Sequence, residues 1–126
     1  MREILFKGKT LLGKWIEGDL IQYLGWGKVH IAQNHKGAGG QEVIPETVGQ
    51  YTGLTDKNGT KIFEGDIVKR HWFDRDSIYR IDYDNGLAAF IGQRDASYTT
   101  FDYDAAEFEV IGNIYENPEL LRSDIE

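Results

Sequence analysis

The sequence of 126 residues contains no cysteine and only two prolines. The absence of cysteine excludes disulfide bonds, thiolate metal sites, iron–sulfur clusters and cysteine nucleophiles. Long hydrophobic runs are absent too: the opening MREILFKGK has only three consecutive apolar residues between charges, and no later run approaches a membrane-spanning length. We therefore expect a cytoplasmic protein that does not interact with membranes.

Recognisable catalytic signatures are also missing. The three serines lie in no GxSxG sequence, and the glycines of residues 36–40 are not followed by GK[ST]. The three histidines have neither HExxH spacing nor cysteine neighbours. Asp82 and Asp84 begin a run that resembles a calcium loop, but its glycine comes one place too early and the final glutamate is missing. We expect no enzymatic activity, no metal and no cofactor; a metal-dependent enzyme using these paired aspartates is the weakest alternative.

Charge is distributed unevenly along the chain. The net charge is −7, and residues 82–126 contain eleven acidic against two basic side chains, whereas residues 1–81 contain twelve basic against ten acidic ones. An acidic protein is a poor sequence-independent ligand of nucleic acid, which is bound by neutralising phosphates. The acidic third is either a solvated surface or a docking face for a basic partner. The candidate docking residues are Asp102, Asp104, Glu107 and Glu109.

Basic and aromatic residues interleave in one segment, KRHWFDR at residues 69–75. Such a mixture suits contact with single-stranded nucleic acid, through phosphate pairing and base stacking, or with a peptide. The candidate contact residues are Lys69, Arg70, Trp72, Phe73 and Arg75.

Short runs rich in Ile, Val, Tyr, Phe, Trp and Thr, broken by glycine-containing turns, predict a mostly β protein. The surest hairpin joins Ile78–Tyr83 to Leu87–Ile91 through Asn85-Gly86, a pair typical of type I′ turns. A second turn is expected at Asp56–Gly59. A short C-terminal helix should begin after Asn117, whose side chain can cap free amides.

A short internal repeat links two segments that both contain EGD, at residues 14–21 and 61–68. We interpret both as a Gly-Asp turn that leads into a buried strand, with a positive φ expected at Gly65 and turn hydrogen bonds at Asp66. Gly53 should mark a bend in a strand. The residues assigned to such structural motifs are Gly53, Asn58, Gly59, Glu64, Gly65, Asp66, Asn117 and Pro118.

Several strings, QYTGL, DKNG, IFEGDIV and GNIYENPEL, follow one another around a variable middle, after the opening REILFKGK. In this order they resemble the YopX family of phage and prophage proteins. The resemblance implies a phage or prophage origin and a β-rich domain similar to an SH3-like barrel. It implies no established biochemical role and no catalytic residues.

These observations together predict an all-β protein. We expect an N-terminal β region with a glycine-rich loop over residues 1–46, and a small, partly open SH3-like barrel with a short C-terminal helix over residues 47–126. The expected function is that of a non-enzymatic accessory protein contacting an unknown host or phage protein, or a second copy of itself. The alternative is a nucleic-acid-associated module that uses residues 69–75.

Overall fold

A computed structural model describes residues 2–23, 25–33, 40–100 and 107–123, with the backbone alone for Trp72 and Ser123. These residues include a 3-10 turn, Pro45–Thr47, and one short helix, α1 (Glu119–Ser123). The strands are β1 (Phe6–Lys9), β2 (Trp15–Tyr23), β3 (Lys28–Ala32), β4 (Gln41–Val43), β5 (Gly49–Thr55), β6 (Lys61–Phe63), β7 (Asp66–Trp72), β8 (Arg75–Asp84), β9 (Ala89–Arg94), β10 (Ser97–Thr99) and β11 (Phe108–Asn113).

The predicted all-β class is confirmed, and so is the short C-terminal helix. The strands form two antiparallel sheets, which within the described ranges are not closed into a full barrel. The chain separates into two compact units, residues 1–51 and 52–126, with the division inside β5. The described part of the chain has no helix with the length and apolar character that crossing a membrane requires.

The first unit is an antiparallel sheet whose neighbouring strands follow the order β4-β3-β2-β1-β5. In β2 the side chain of Ile16 is buried while its neighbour Glu17 is exposed, as expected for a strand with one face toward a core. Ile16, Ile31 and Val43 form that core, and partly buried apolar side chains pack around them. Burial of this apolar face stabilises the first unit.

The two EGD segments do not share one structure. Gly65 lies in a turn with φ of +93°, whereas Gly18 lies in the middle of β2. A Cβ atom at Gly18 would overlap the carbonyl oxygen of Ala32, so this glycine permits β3 to approach closely. The prediction of a Gly-Asp turn is wrong for the first copy, because strand pairing determines the backbone there.

The second unit contains a five-stranded antiparallel sheet in the order β10-β9-β8-β7-β11, and β6 lies beside β5. Alternate residues of β8 are buried, and the side chains on that face contact those of the neighbouring strands. Helix α1 lies against β8. The buried side chains of this core are Ile62, Val68, Tyr79, Ile81 and Phe108.

A buried carboxylate organises the turn between β5 and β6. Asp56 is only 5% exposed. Its Oδ1 accepts hydrogen bonds from the N–H groups of Asn58 at 2.8 Å and Thr60 at 2.9 Å. Its Oδ2 accepts one from the N–H of Val110 in β11, at 2.9 Å. Gly59 completes the turn with φ of +82°. One side chain therefore closes a local turn and binds it to a distant strand.

The turn between β6 and β7 is held by backbone and side-chain hydrogen bonds. Asp66 is 1% exposed, and its Oδ2 accepts the N–H of Phe63 at 2.8 Å. The N–H of Gly65 donates to the carbonyl of Ile81 at 2.8 Å, and the carbonyl of Gly65 accepts the N–H of Ile114 at 2.9 Å. In this copy of the EGD sequence, the backbone of Gly65 and the carboxylate of Asp66 form hydrogen bonds within the fold, so the sequence has a structural role.

The hairpin of β8 and β9 is present, but its turn differs from the predicted type I′. The register pairs Asp84 with Ala89 and leaves a loop of four residues, 85–88. The left-handed residue of the loop is Ala88, with φ of +53°, and not the Asn85-Gly86 pair. The Asp84 carboxylate accepts the N–H of Leu87 at 2.8 Å, and this bond favours the longer loop.

The segment between β11 and α1 is organised by two asparagines. Asn117 accepts the N–H of Asn113 at 3.2 Å through its side-chain oxygen, so this oxygen binds the end of β11. Asn113 in turn accepts the N–H groups of Tyr115 and Glu116, at 3.0 and 2.8 Å. Pro118 precedes α1 and is exposed. The expected cap on the helix amides is thus replaced by a bond to the strand.

We predict that Asp56→Asn lowers the free energy of unfolding by about 2–4 kcal/mol. A carboxamide has one acceptor oxygen, so at least one buried N–H loses its acceptor and meets a donor instead. Asp84→Asn is the matched control, because Asp84 accepts the Leu87 N–H through one oxygen and should change stability by less than about 0.5 kcal/mol. Urea unfolding of both variants measures the difference. Equal midpoints for the two variants would contradict the role given to Asp56.

The same carboxylate should make stability depend on acidity. Burial raises the pKa of the Asp56 carboxyl, but hydrogen bonds from the N–H groups of Val110, Thr60 and Asn58 outweigh burial, so its pKa lies below the ordinary value. The resulting stability is fully present above the ordinary carboxyl pKa and is lost as the pH falls through the lower folded value. Urea midpoints of the wild type should fall further over this acidic range than those of Asp56→Asn.

We predict that Gly65→Ala is more destabilising than Gly53→Ala. Both glycines have left-handed backbone, with φ of +93° and +90°, so either alanine carries a strain of about 1 kcal/mol. A Cβ at Gly65 would also lie 3.1 Å from the Tyr115 ring, whereas nothing lies within 4 Å at Gly53. This crowding should add about 1 kcal/mol or more. Thermal or urea melts that rank the two variants in the opposite order would contradict the idea that contact with the Tyr115 ring limits a side chain at position 65.

Candidate functional site

The second unit presents two tight turns toward one end of its five-stranded sheet. Residues 73–74 join β7 to β8, since Trp72 pairs with Arg75. Residues 95–96 join β9 to β10, since Arg94 pairs with Ser97. Because β8 is antiparallel to β9, both turns lie toward the same end of the sheet, but the pairing with β9 stops at Arg80 and β8 begins at Arg75, so the β7–β8 turn extends beyond the β9–β10 turn. We call this region, residues 71–76 and 94–97, the hairpin end.

Both turns of the hairpin end contain a non-glycine residue with positive φ. Phe73 has φ of +58°, which a bulky side chain adopts at a cost of about 1–2 kcal/mol, and Asp95 has φ of +47°, a region that aspartate tolerates better than most residues. Phe73 is also 82% exposed, so burial of its ring contributes little to offset this strain. Strain of this kind in native proteins occurs preferentially at functional sites. The backbone therefore displays a large apolar side chain to solvent at a free-energy cost.

The first two basic residues of the 69–75 segment are used within the fold. The Lys69 ammonium lies 3.8 Å from Oε1 of Glu109. The Arg70 guanidinium packs over the rings of Phe108 and Tyr79, at 5.4 and 5.7 Å from their centroids, and donates to the Tyr79 hydroxyl at 3.4 Å. These two cations lie against protein groups, an arrangement that leaves them little freedom to contact phosphates.

Several polar residues of the hairpin end form specific contacts within the fold. Nδ1 of His71 lies 2.6 Å from Oδ1 of Asp76, across the β7–β8 ladder. The hydrogen bond with His71 lowers the pKa of the Asp76 carboxyl below its ordinary value. Nη1 of Arg94 donates to the buried Ser77 hydroxyl at 3.1 Å. Arg75 is exposed. The Phe73 ring and the Arg75 cation face outward at this end, together with the exposed carboxylates of Asp74 and Asp95 in the two turns, and the side chain of Trp72 lies outside the described atoms.

The predicted acidic docking residues are only partly described. Asp102 and Asp104 lie outside the described residues. Glu107 is half-buried. The carboxylate of Glu109 lies between two lysine ammonium groups, Lys57 at 3.9 Å and Lys69 at 3.8 Å. The charge of Glu109 is therefore balanced within the second unit, which weakens its attraction for a basic partner.

The alternating aspartates also have partners in the fold. Asp82 forms two hydrogen bonds with Nε of Arg80, at 2.9 and 3.1 Å, and an ion pair with its Nη2 at 2.8 Å. Across the part of the chain that the structure describes, no group of three or more His, Asp or Glu side chains is placed to hold a metal ion.

Burial raises the pKa of Tyr115, and the charges of Glu64 and Asp82 raise it further. Glu64 itself is half-buried.

The turn at Asp95 has no recognisable signal in the sequence. The run FIGQRDASYTT contains no glycine or proline at the point where the chain reverses, so the usual turn signal is missing. The strain at Phe73 was likewise hidden, because a positive φ at phenylalanine has no signature in the sequence. The sequence offers one indication of these turns: at residues 73–74 and 95–96, two residues separate short runs that are typical of strands.

Comparisons with known proteins agree with this fold. The family model described as YopX protein matches residues 9–122. The crystal structure of protein EF1440 from Enterococcus faecalis is similar, with a TM-score of 0.59 and 26% sequence identity over 96% of this chain and 99% of that chain. No curated protein matches the chain significantly.

We predict that Phe73→Gly leaves the free energy of unfolding unchanged or raises it by up to about 1 kcal/mol. Glycine adopts the positive φ without strain, and the exposed ring leaves little burial to lose. Tyr98→Gly is the control, because Tyr98 is 54% exposed in β10 and glycine within a strand should lower stability by about 0.5–1 kcal/mol. Urea unfolding distinguishes the two. A loss above about 1 kcal/mol at position 73 would show that the ring is structural.

Proposed function

The chain belongs to the YopX family, and we propose that it is a phage or prophage accessory protein of the bacterial cytoplasm. It acts through contact with another protein and catalyses no reaction. The hairpin end is the surface that makes this contact, and the Phe73 ring is its anchor.

The exposed, strained Phe73 carries the proposal. An aromatic side chain that enters a pocket of a partner is a frequent source of binding energy, because it removes a large apolar area from water and loses little conformational entropy. Phe73 is 82% exposed and sits on a turn whose backbone is strained at that residue. Selection for stability alone would favour glycine at this position, so a binding role accounts for the strain.

The surroundings of Phe73 favour a protein partner over nucleic acid. Lys69 lies beside Glu109 and Arg70 packs on aromatic rings, so the segment offers Arg75 as its outward cation. The net charge of −7 opposes the approach of a polyanion. A nucleic-acid-associated role for residues 69–75 is accordingly the weaker proposal.

The proposal is tested by affinity capture with tagged wild type, Phe73→Ser and Leu87→Ser, after nuclease treatment of the host lysate. Leu87 is the matched control, because it is a 48% exposed apolar residue in the β8–β9 loop, at the opposite end of β8. We predict that one captured protein is retained by wild type and Leu87→Ser and is reduced at least about tenfold by Phe73→Ser, a loss of about 1.4 kcal/mol.

Circular dichroism and urea unfolding establish that the variants are folded to the same extent. Loss of the partner with both variants would indicate a general effect of surface polarity. Retention with Phe73→Ser would remove the hairpin end as the contact surface. A shifted mobility of labelled single-stranded DNA or RNA, abolished by Phe73→Ser, would favour the nucleic-acid alternative.

A further inference from the structure

The chain contains two Asn-Gly sequences, Asn58-Gly59 and Asn85-Gly86, in turns of the second unit. Asparagine is one of the chemically labile residues of proteins. It is most labile before glycine, whose lack of a Cβ lets the following backbone nitrogen reach the side-chain carbonyl. The two sites share the same local chemistry, so any difference between them must come from the fold.

The first site is held by four hydrogen bonds. The N–H of Asn58 and that of Thr60 donate to Oδ1 of Asp56, at 2.8 and 2.9 Å. The N–H of Gly59, which contains the nitrogen that would react, donates to the carbonyl of Asp56 at 3.0 Å. The side-chain amide of Asn58 lies 3.5 Å from Oε2 of Glu109. Reaction at Asn58 therefore requires this turn to open first.

The second site has none of these restraints. Asn85 and Gly86 lie in the four-residue loop between β8 and β9 and are exposed, as Asn58 and Gly59 are, so the two sites differ in their hydrogen bonds. Among the described residues, neither the Asn85 side chain nor the Gly86 N–H forms a hydrogen bond. The loop is held by the bond from the Leu87 N–H to Asp84, which involves neither reacting atom. The backbone around Asn85 can thus sample the geometry that cyclisation needs.

We propose that Asn85 is a site of spontaneous deamidation and that the fold protects Asn58 from the same reaction. The backbone nitrogen of Gly86 attacks Cγ of Asn85, the Cγ–Nδ2 bond breaks, and ammonia leaves with the proton that Gly86 loses. Water then adds to either carbonyl of the resulting succinimide and gives aspartate or isoaspartate. The reaction consumes one water, releases one ammonia and needs no oxidant or reductant.

The product changes the β8–β9 loop in two ways. Each reacted chain gains one negative charge beyond its present −7, next to the carboxylate of Asp84. Isoaspartate also inserts a methylene into the backbone of the loop. The exposed side chains of Tyr83 and Leu87 flank this position, so a second negative charge develops beside these two side chains as the protein ages.

The test is incubation of the folded full-length protein at mildly alkaline pH, followed by glutamate-specific proteolysis and mass spectrometry. Cleavage after Glu46, Glu64 and Glu107 separates the two sites into peptides 47–64 and 65–107. We expect a gain of about 1 Da at Asn85 at least about tenfold faster than at Asn58, which corresponds to a local opening free energy of about 1.4 kcal/mol. Equal rates in the folded protein, or faster reaction at Asn58, would overturn the proposal.

Two controls separate the fold from the local sequence. In urea the two sites should react at similar rates, and a persistent difference there would assign the effect to sequence. Gly86→Ala should suppress reaction at Asn85 in the folded protein, since the added methyl hinders attack. Its Cβ would meet only the movable Asp84 carboxylate, at 3.3 Å. Continued product in this variant would place the reaction at another residue and overturn the assignment.

Discussion

The second unit depends on one buried carboxylate. Asp56 accepts two N–H groups of its own turn and one from Val110 in β11, a strand far along the chain. β11 is at one edge of the five-stranded sheet, and unpaired edge amides are costly to bury and prone to join other strands. The carbonyl of Phe108 accepts the N–H of Lys57 at 3.0 Å in the same region. The β5–β6 turn thereby covers an edge that backbone pairing alone leaves open.

The rigid sheet allows strain to persist at its turns. Phe73, Ala88 and Asp95 are the non-glycine residues with positive φ among those described, and each lies in a hairpin turn of the second unit. Strained backbone of this kind survives only where the surrounding structure over-determines it. The core around Val68 and Tyr79 supplies that constraint. The strands thus provide most of the stability. Phe73, the proposed contact residue, lies in a turn where the fold tolerates the free-energy cost of a strained backbone.

Local sequence predicted those features whose energetics are local. The turn at Asp56–Gly59 and the left-handed Gly65 follow from residue types that favour such geometry wherever they occur. The predictions of one turn type at Asn85-Gly86 and of two equivalent EGD turns were wrong. In the first, a hydrogen bond from Leu87 to Asp84 lengthens the loop. In the second, Gly18 lies within β2, where it pairs with Phe6 of β1 and lies close to the Ala32 carbonyl, and no short segment contains information about its strand partners.

The sequence by itself determined the all-β class, the family and the absence of thiol chemistry, because these follow from composition and from ordered motifs. Tertiary structure decided which side chains face solvent. Residues 69–75 form a basic-aromatic segment in the sequence, yet Lys69 lies beside Glu109 and Arg70 packs on Phe108 and Tyr79. Those partners come from other strands, and the free energy of a charge depends on the groups that the fold brings near it.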